Sequence, residues 1–111
     1  MASKSHLVVL TTCASAAQAR RIARALIEAR LAACVNIILS QVESVYRWKG
    51  KVEKAREFLL VIKTSRARFS ALERTIRALH SYDVPEIIAL PLAAGSRPYL
   101  QWLSDSLKSS K

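Results

Sequence analysis

The chain has 111 residues, a length that one domain accounts for and that buries about two-thirds of its unfolded surface. Apolar residues make up 51% and charged residues 23%, an ordinary globular mixture, and no run approaches the ~20 apolar residues that cross a bilayer. Eighteen Lys and Arg against eight Asp and Glu give a net charge of +10, which favours polyanions and opposes the gathering of many cations.

The start, MASKSHLVVLTTCASAAQARR, holds an apolar run too short and too polar for a secretory signal. Two cysteines without such a signal read as free thiols in a reducing cytosol, so the expected compartment is cytoplasmic. Residues 1–111 form a single expected domain, with disordered tails at 1–5 and 108–111.

His6–Thr12 is a β-branched run and is expected as a buried strand, with His6 exposed at its start. Ser15 followed by Gln18 has the form of a capping box. The helix it opens carries Ala19, Ile22, Ala23 and Leu26 on one stripe, pairs Arg24 with Glu28 on another face, and should end near Leu31. From Cys34 the period becomes two, with Val35, Ile37 and Leu39 on one side of a strand. A bend near Ser40–Gln41 separates this from Val42–Trp48. Lys49–Lys51 supplies a tight turn, and VEKAREFLLVIKT returns as a second long strand. Each arm spans about 13–15 residues against a usual 5–6, so the polar outer half must leave the core or meet another subunit.

Ser70 and Glu73 suggest a second capping box, opening a helix striped by Phe69, Leu72, Ile76 and Leu79. EIIAL is the last expected strand, and Pro98 stands in the first turn of a short helix using Tyr99, Leu100, Leu103 and Leu107. Strand, helix, long hairpin, helix, strand and helix make an α+β fold, the ferredoxin-like split βαβ sandwich with a long β-hairpin and an extra C-terminal helix.

Chemistry-bearing residues are few. Cys34 lies among small apolar residues and reads as a buried small hydrophobe. Cys13 stands just before a helix N-terminus, a place that favours a thiolate, although packing alone also explains it. His80 closes the second helix, where it can cap carbonyls or serve as a metal ligand or proton carrier. No HxxxH, CxxC, glycine-rich phosphate loop or G-x-S-x-G is present, which removes the common cofactor and triad signatures. In a split βαβ plan the end of the first strand and the loop before the last can meet. Cys13, His80, Tyr82, Glu86 and Lys63 could then share a rim, although three ligands make an incomplete metal shell.

The stretches TTCAS, LIEARLAACVN, VESVYRWKGKVE, LLVIKTS, LHSYDVPEIIALPL and YLQWL, in this order and spacing, resemble the divalent-cation tolerance (CutA) family from Leu7 to about Leu107. The resemblance implies a tightly packed homotrimer whose long hairpins build intersubunit sheets, and an association with copper and other divalent metals. It carries Cys13, His80 and Glu86 over as metal-site positions, and Tyr46, Trp48, Lys63 and Tyr82 as residues around an intersubunit cleft. The sequence departs from the family pattern at Ala14 and Ser81, where proline is usual, and at Leu79, where some members have a histidine. After Gly50-Lys51 a usually acidic stretch reads Val52-Glu53-Lys54-Ala55-Arg56.

The resulting expectation is a homotrimeric metal-tolerance protein that binds copper or another divalent ion without catalysis. A signalling-type trimer holding a small anionic ligand, with Lys63 and the basic hairpin serving the anion, is the alternative. Nucleic-acid binding through Arg47–Arg56 is a weaker one, because no further nucleic-acid cue accompanies the charge.

Overall fold

The computed structural model describes residues 5–108, with β1 (His6–Cys13), α1 (Ala16–Glu28), β2 (Cys34–Ile37), β3 (Val42–Trp48), β4 (Lys51–Ser65), α2 (Phe69–Leu79), β5 (Ile88–Pro91) and α3 (Arg97–Ser106). Of the tails expected to be disordered, 1–5 and 108–111, residues 1–4 and 109–111 lie outside the described residues. Ser5, at the inner end of the first tail, accepts the Arg66 N–H on its carbonyl at 2.7 Å.

The sheet runs β2-β4-β1-β5, antiparallel at every pairing, and β3 pairs with the outer part of β4. With β2 and β3 taken as one broken strand, this is the split βαβ order expected from the sequence. The break falls at residues 38–41. Lys49 (φ 51°) and Gly50 (φ 80°) both lie in the left-handed region, so the hairpin closes on a two-residue type I′ turn.

Residues directly opposite in a ladder share a face of the sheet. Leu7, Val9, Thr11 and Cys13 oppose Thr64, Ile62, Leu60 and Phe58, and this face carries α1 and α2. The core there joins Val9, Ile22, Leu26, Leu60, Ile62 and Ile76, all fully buried. Each such side chain contributes about 1.5–3 kcal/mol on leaving water. The second face carries Val8, Leu10, Leu59, Val61, Ile88 and Leu90. At one end α3 covers it, burying Leu100, Leu103 and Leu107 and bringing Ser104 Oγ within 2.7 Å of His6 Nε2. At β5 it is open: Ile88 and Leu90 are 51% and 52% exposed.

Local chemistry differs from expectation in four places. His6 is buried rather than exposed, because α3 lies over it. Helix α1 stops at Glu28, short of Leu31, since Arg30 turns left-handed (φ 58°) and the Leu31 and Ala32 amides return to the Leu26 carbonyl. Ser70 caps nothing: a 3₁₀ turn over Arg66–Arg68 precedes α2 and puts Ser70 inside the first helical turn. At Ser15 the cap holds, with Oγ accepting the Gln18 N–H at 3.1 Å. The Gln18 side chain, however, turns across to Leu79 O (3.5 Å) and Ser81 Oγ (3.3 Å) instead of closing the box.

Candidate functional site

Where β1 ends, a cleft of about 740 Å³ opens between the β3–β4 hairpin and the segment that leads into β5. Thr12, Tyr46, Trp48, Glu57, Tyr82 and Glu86 line it, with Asp83 on the same wall. The ladder explains the convergence. Val42, Ser44, Tyr46 and Trp48 oppose Glu57, Ala55, Glu53 and Lys51, so these eight share one face of the hairpin. Glu43, Val45 and Arg47 oppose Arg56, Lys54 and Val52 on the other.

His80 is the hinge of the second wall. It stops α2 by turning extended (φ −79°, ψ 144°) while its N–H still reaches Ile76 O at 2.9 Å. Its ring joins the two halves of the site: Nε2 donates to Thr12 O at 2.7 Å, and Nδ1 accepts the Tyr82 N–H at 3.1 Å. A carbonyl on one side and an amide on the other fit one assignment, the neutral tautomer with the proton on Nε2. The Tyr82 ring tilts against the imidazole with centroids 4.6 Å apart, and its hydroxyl donates to Glu57 Oε2 at 2.8 Å. Burial, then the hydrogen bond to Glu57, push the Tyr82 phenol above its usual range.

Cys13 lies on the helix side of the sheet, fully buried in the core. Burial and then the Glu57 charge push its thiol up to about 11, so near neutral pH it is a thiol and not a thiolate. Desolvation outweighs the helix N-terminus that would favour a thiolate there. Lys63 does not line the cleft. It sits farther along β4, donating to Asn36 Oδ1 with Nζ 3.9 Å from Cys34 Sγ.

Among the described residues no group of three or more His, Cys, Asp and Glu side chains gathers closely enough to hold one metal ion. Cys13, His80 and Glu86 therefore do not form a three-ligand shell within one protomer, and both nitrogens of His80 are already engaged. No lysine or arginine lines the cleft, whereas Glu57, Asp83 and Glu86 do. A basic chain thus presents an acidic, aromatic-walled site.

Two of these residues escaped sequence reasoning. Glu57 heads the apolar run Phe58–Ile62, and a carboxylate set against such a run is its signal in the sequence; the fold leaves it only 6% exposed. Thr12 contributes through its position in the ladder, which no sequence pattern displays.

The CutA1 divalent ion tolerance family model matches residues 7–106. A divalent-cation tolerance protein CutA of Thermus thermophilus is 52% identical over 89% of this chain and 95% of its own length. The human protein CutA is 48% identical over 88% of this chain, which spans 54% of that longer relative. Among solved structures, the T. thermophilus CutA1 superposes with a TM-score of 0.86 at 52% identity, covering 88% of this chain and 94% of that one. A CutA from Archaeoglobus fulgidus, described as periplasmic, gives 0.89 at 37% identity over 93% and 99% of the two chains. No helix among the described residues is long and apolar enough to cross a membrane. With the matched family model, TM-scores of 0.86 and 0.89 against solved structures and relatives at this identity, the chain belongs to the CutA1 divalent ion tolerance family.

Proposed function

We propose that this chain binds divalent metal ions as a cytoplasmic homotrimer and contributes to metal tolerance by binding alone, without catalysis. The observation that carries the reading is the sign of the cleft. Glu57, Asp83 and Glu86 line it with no lysine or arginine among them, in a chain whose net charge is +10. Such a site attracts cations locally although the molecule as a whole repels them.

Copper is the first ion to test, because imidazole and thiol donors favour it. Glu86 lines the cleft and is the donor proposed there; His80 would join it by giving up its bond to Thr12 O, and Cys13, buried on the other face of the sheet, would do so only after a wider local opening. One protomer supplies too few ligands for a closed shell, and a neighbouring subunit would complete it. The trimer is supported by the second face of the sheet, where α3 leaves apolar β5 residues uncovered.

The anionic-ligand reading loses its main support, since Lys63 is held by Asn36 away from the cleft. The nucleic-acid reading loses its composite surface, since Arg47, Lys54 and Arg56 lie on the hairpin face opposite Tyr46 and Trp48.

The test is titration of copper and zinc into tag-free protein of measured sedimentation mass. Saturable binding by a trimer, weakened in a His80→Ala, Glu86→Gln variant, supports the reading. Equal binding by wild type and variant would sink it.

A further inference from the structure

The three cleft carboxylates share a cavity without sharing a point. Glu57, Asp83 and Glu86 all line it, yet among the described residues no three such groups converge on one ion. Between and around them stand the apolar or aromatic Tyr46, Trp48, Tyr82 and Val84, with the small polar Thr12 and Ser44. Negative charges spaced along an apolar trough complement positive charges spaced along a hydrocarbon chain, and match a point charge poorly. We propose that this cleft binds an aliphatic polyamine, with ammonium groups at the carboxylates and methylene segments against the aromatic rings.

Four features support this ligand class. The volume, about 740 Å³, falls within the usual range for small-molecule sites. Glu57 is only 6% exposed and is held in place by the Tyr82 hydroxyl, so one anchor is pre-set and poorly hydrated. The indole of Trp48 already attracts an ammonium, the Lys49 Nζ, 5.9 Å from its centroid, and an incoming amine can replace so weak a contact. Finally, the hairpin separates its charges: Arg47, Lys54 and Arg56 face away from the cleft, and Lys51 at the tip is the basic residue of the ladder on the cleft side. At physiological ionic strength charges beyond about 8 Å are largely screened, so the net charge does not overrule the local carboxylates.

The inference shares its cleft with the proposed metal site but needs no metal. It requires that the cleft stay open in the assembled protein.

The experiment is calorimetric titration of the full-length assembled protein with spermidine at physiological ionic strength. A diol of the same length is the uncharged control, and copper is titrated in parallel. Saturable spermidine binding, absent for the diol, is expected. It should weaken about tenfold in an Asp83→Asn, Glu86→Gln variant, whose side chains are exposed and whose fold is therefore retained. Trp48→Ala should weaken it as well. No saturable spermidine binding, or binding unchanged in the carboxamide variant, overturns the proposal. Spermidine binding without copper binding keeps this inference and removes the metal reading; copper binding without spermidine binding does the reverse.

Discussion

The hydroxyl of Tyr82 donates to Glu57 Oε2 at 2.8 Å, joining the loop after α2 to the middle of β4 across the floor of the cleft. Glu57 is 6% exposed, so this bond is a main compensation for its lost hydration. Tyr82→Phe keeps the ring against His80 but leaves the carboxylate short of a partner. The expected loss is about 1–3 kcal/mol of unfolding free energy, read from urea unfolding with an unchanged m-value. Adding Glu57→Leu to Tyr82→Phe should recover part of that loss, because the pair is then removed together. A Tyr82→Phe variant as stable as the parent would mean that Glu57 finds its hydration elsewhere.

Cys13 makes stability depend on alkaline pH. Its folded value is raised from 9.0 to about 11, first by burial and then by the Glu57 charge. The folded state therefore holds a proton that the unfolded chain gives up earlier. The contribution is complete below about 9, declines as pH rises towards about 11, and has gone above that. Cys13→Ala should lower stability at neutral pH, because it leaves a cavity in the core, and should flatten the decline through this window. Parallel slopes for parent and variant would show that the thiol does not control it. A disulfide reagent offered to the folded protein at neutral pH should react at Cys13 only at the rate of local opening.

The core stripes were legible in the sequence because burial and periodicity are local properties: Ile22, Leu26, Leu72 and Ile76 sit where the helical repeat puts them. The α+β class and the overlong hairpin were legible for the same reason. The cleft was only half legible. Tyr82 and Glu86 follow from the split βαβ geometry as well as from the family resemblance, Tyr46 and Trp48 from the resemblance alone, and all four line it. Lys63 lies too far along its strand to reach the cleft, and Cys13 is turned from it because one step along a strand reverses the face. Lys63 shares its face with Glu57, but six residues further along. Cys13 follows Thr12, which faces the cleft, and so turns into the core. Ser70 failed as a cap because the 3₁₀ turn at Arg66–Arg68 starts the helical path early, a choice made by tertiary contacts such as Arg66 N–H to Ser5 O.

Gly95 is fixed by packing. A Cβ at this position would lie 2.9 Å from Leu100 Cδ2 and 3.1 Å from Cγ, and Leu100 is one of the residues that seat α3 on the sheet. Gly95→Ala should cost about 1–3 kcal/mol as an overpacking defect and raise the exchange rates of α3 amides above those of α1. Gly50→Ala meets no atom within 4 Å and carries only the strain of its positive φ (80°), roughly 1–2 kcal/mol. Its effect should stay at the hairpin tip. Hydrogen exchange resolves the two patterns, and faster exchange confined to the hairpin in both variants would contradict the role given to Gly95.

The uncovered end of the second face makes the last prediction. Leu90 opposes Val8 and Ile88 opposes Leu10, so both β5 side chains share the face that α3 leaves open, and each is about half exposed. Leu7 and Val9, one step away on β1, belong to the buried side. A charge at Leu90 should therefore spare the protomer and oppose the proposed trimer, since a buried unpaired charge costs several kcal/mol at an interface and little in water. Leu90→Glu is expected to keep the far-ultraviolet circular dichroism of the parent, sediment at one-third of its mass, and unfold at a temperature that no longer rises with protein concentration. A Leu90→Glu protein that keeps the parent's mass and concentration dependence would place the association surface elsewhere. A parent that already sediments as a single chain would remove the trimer altogether.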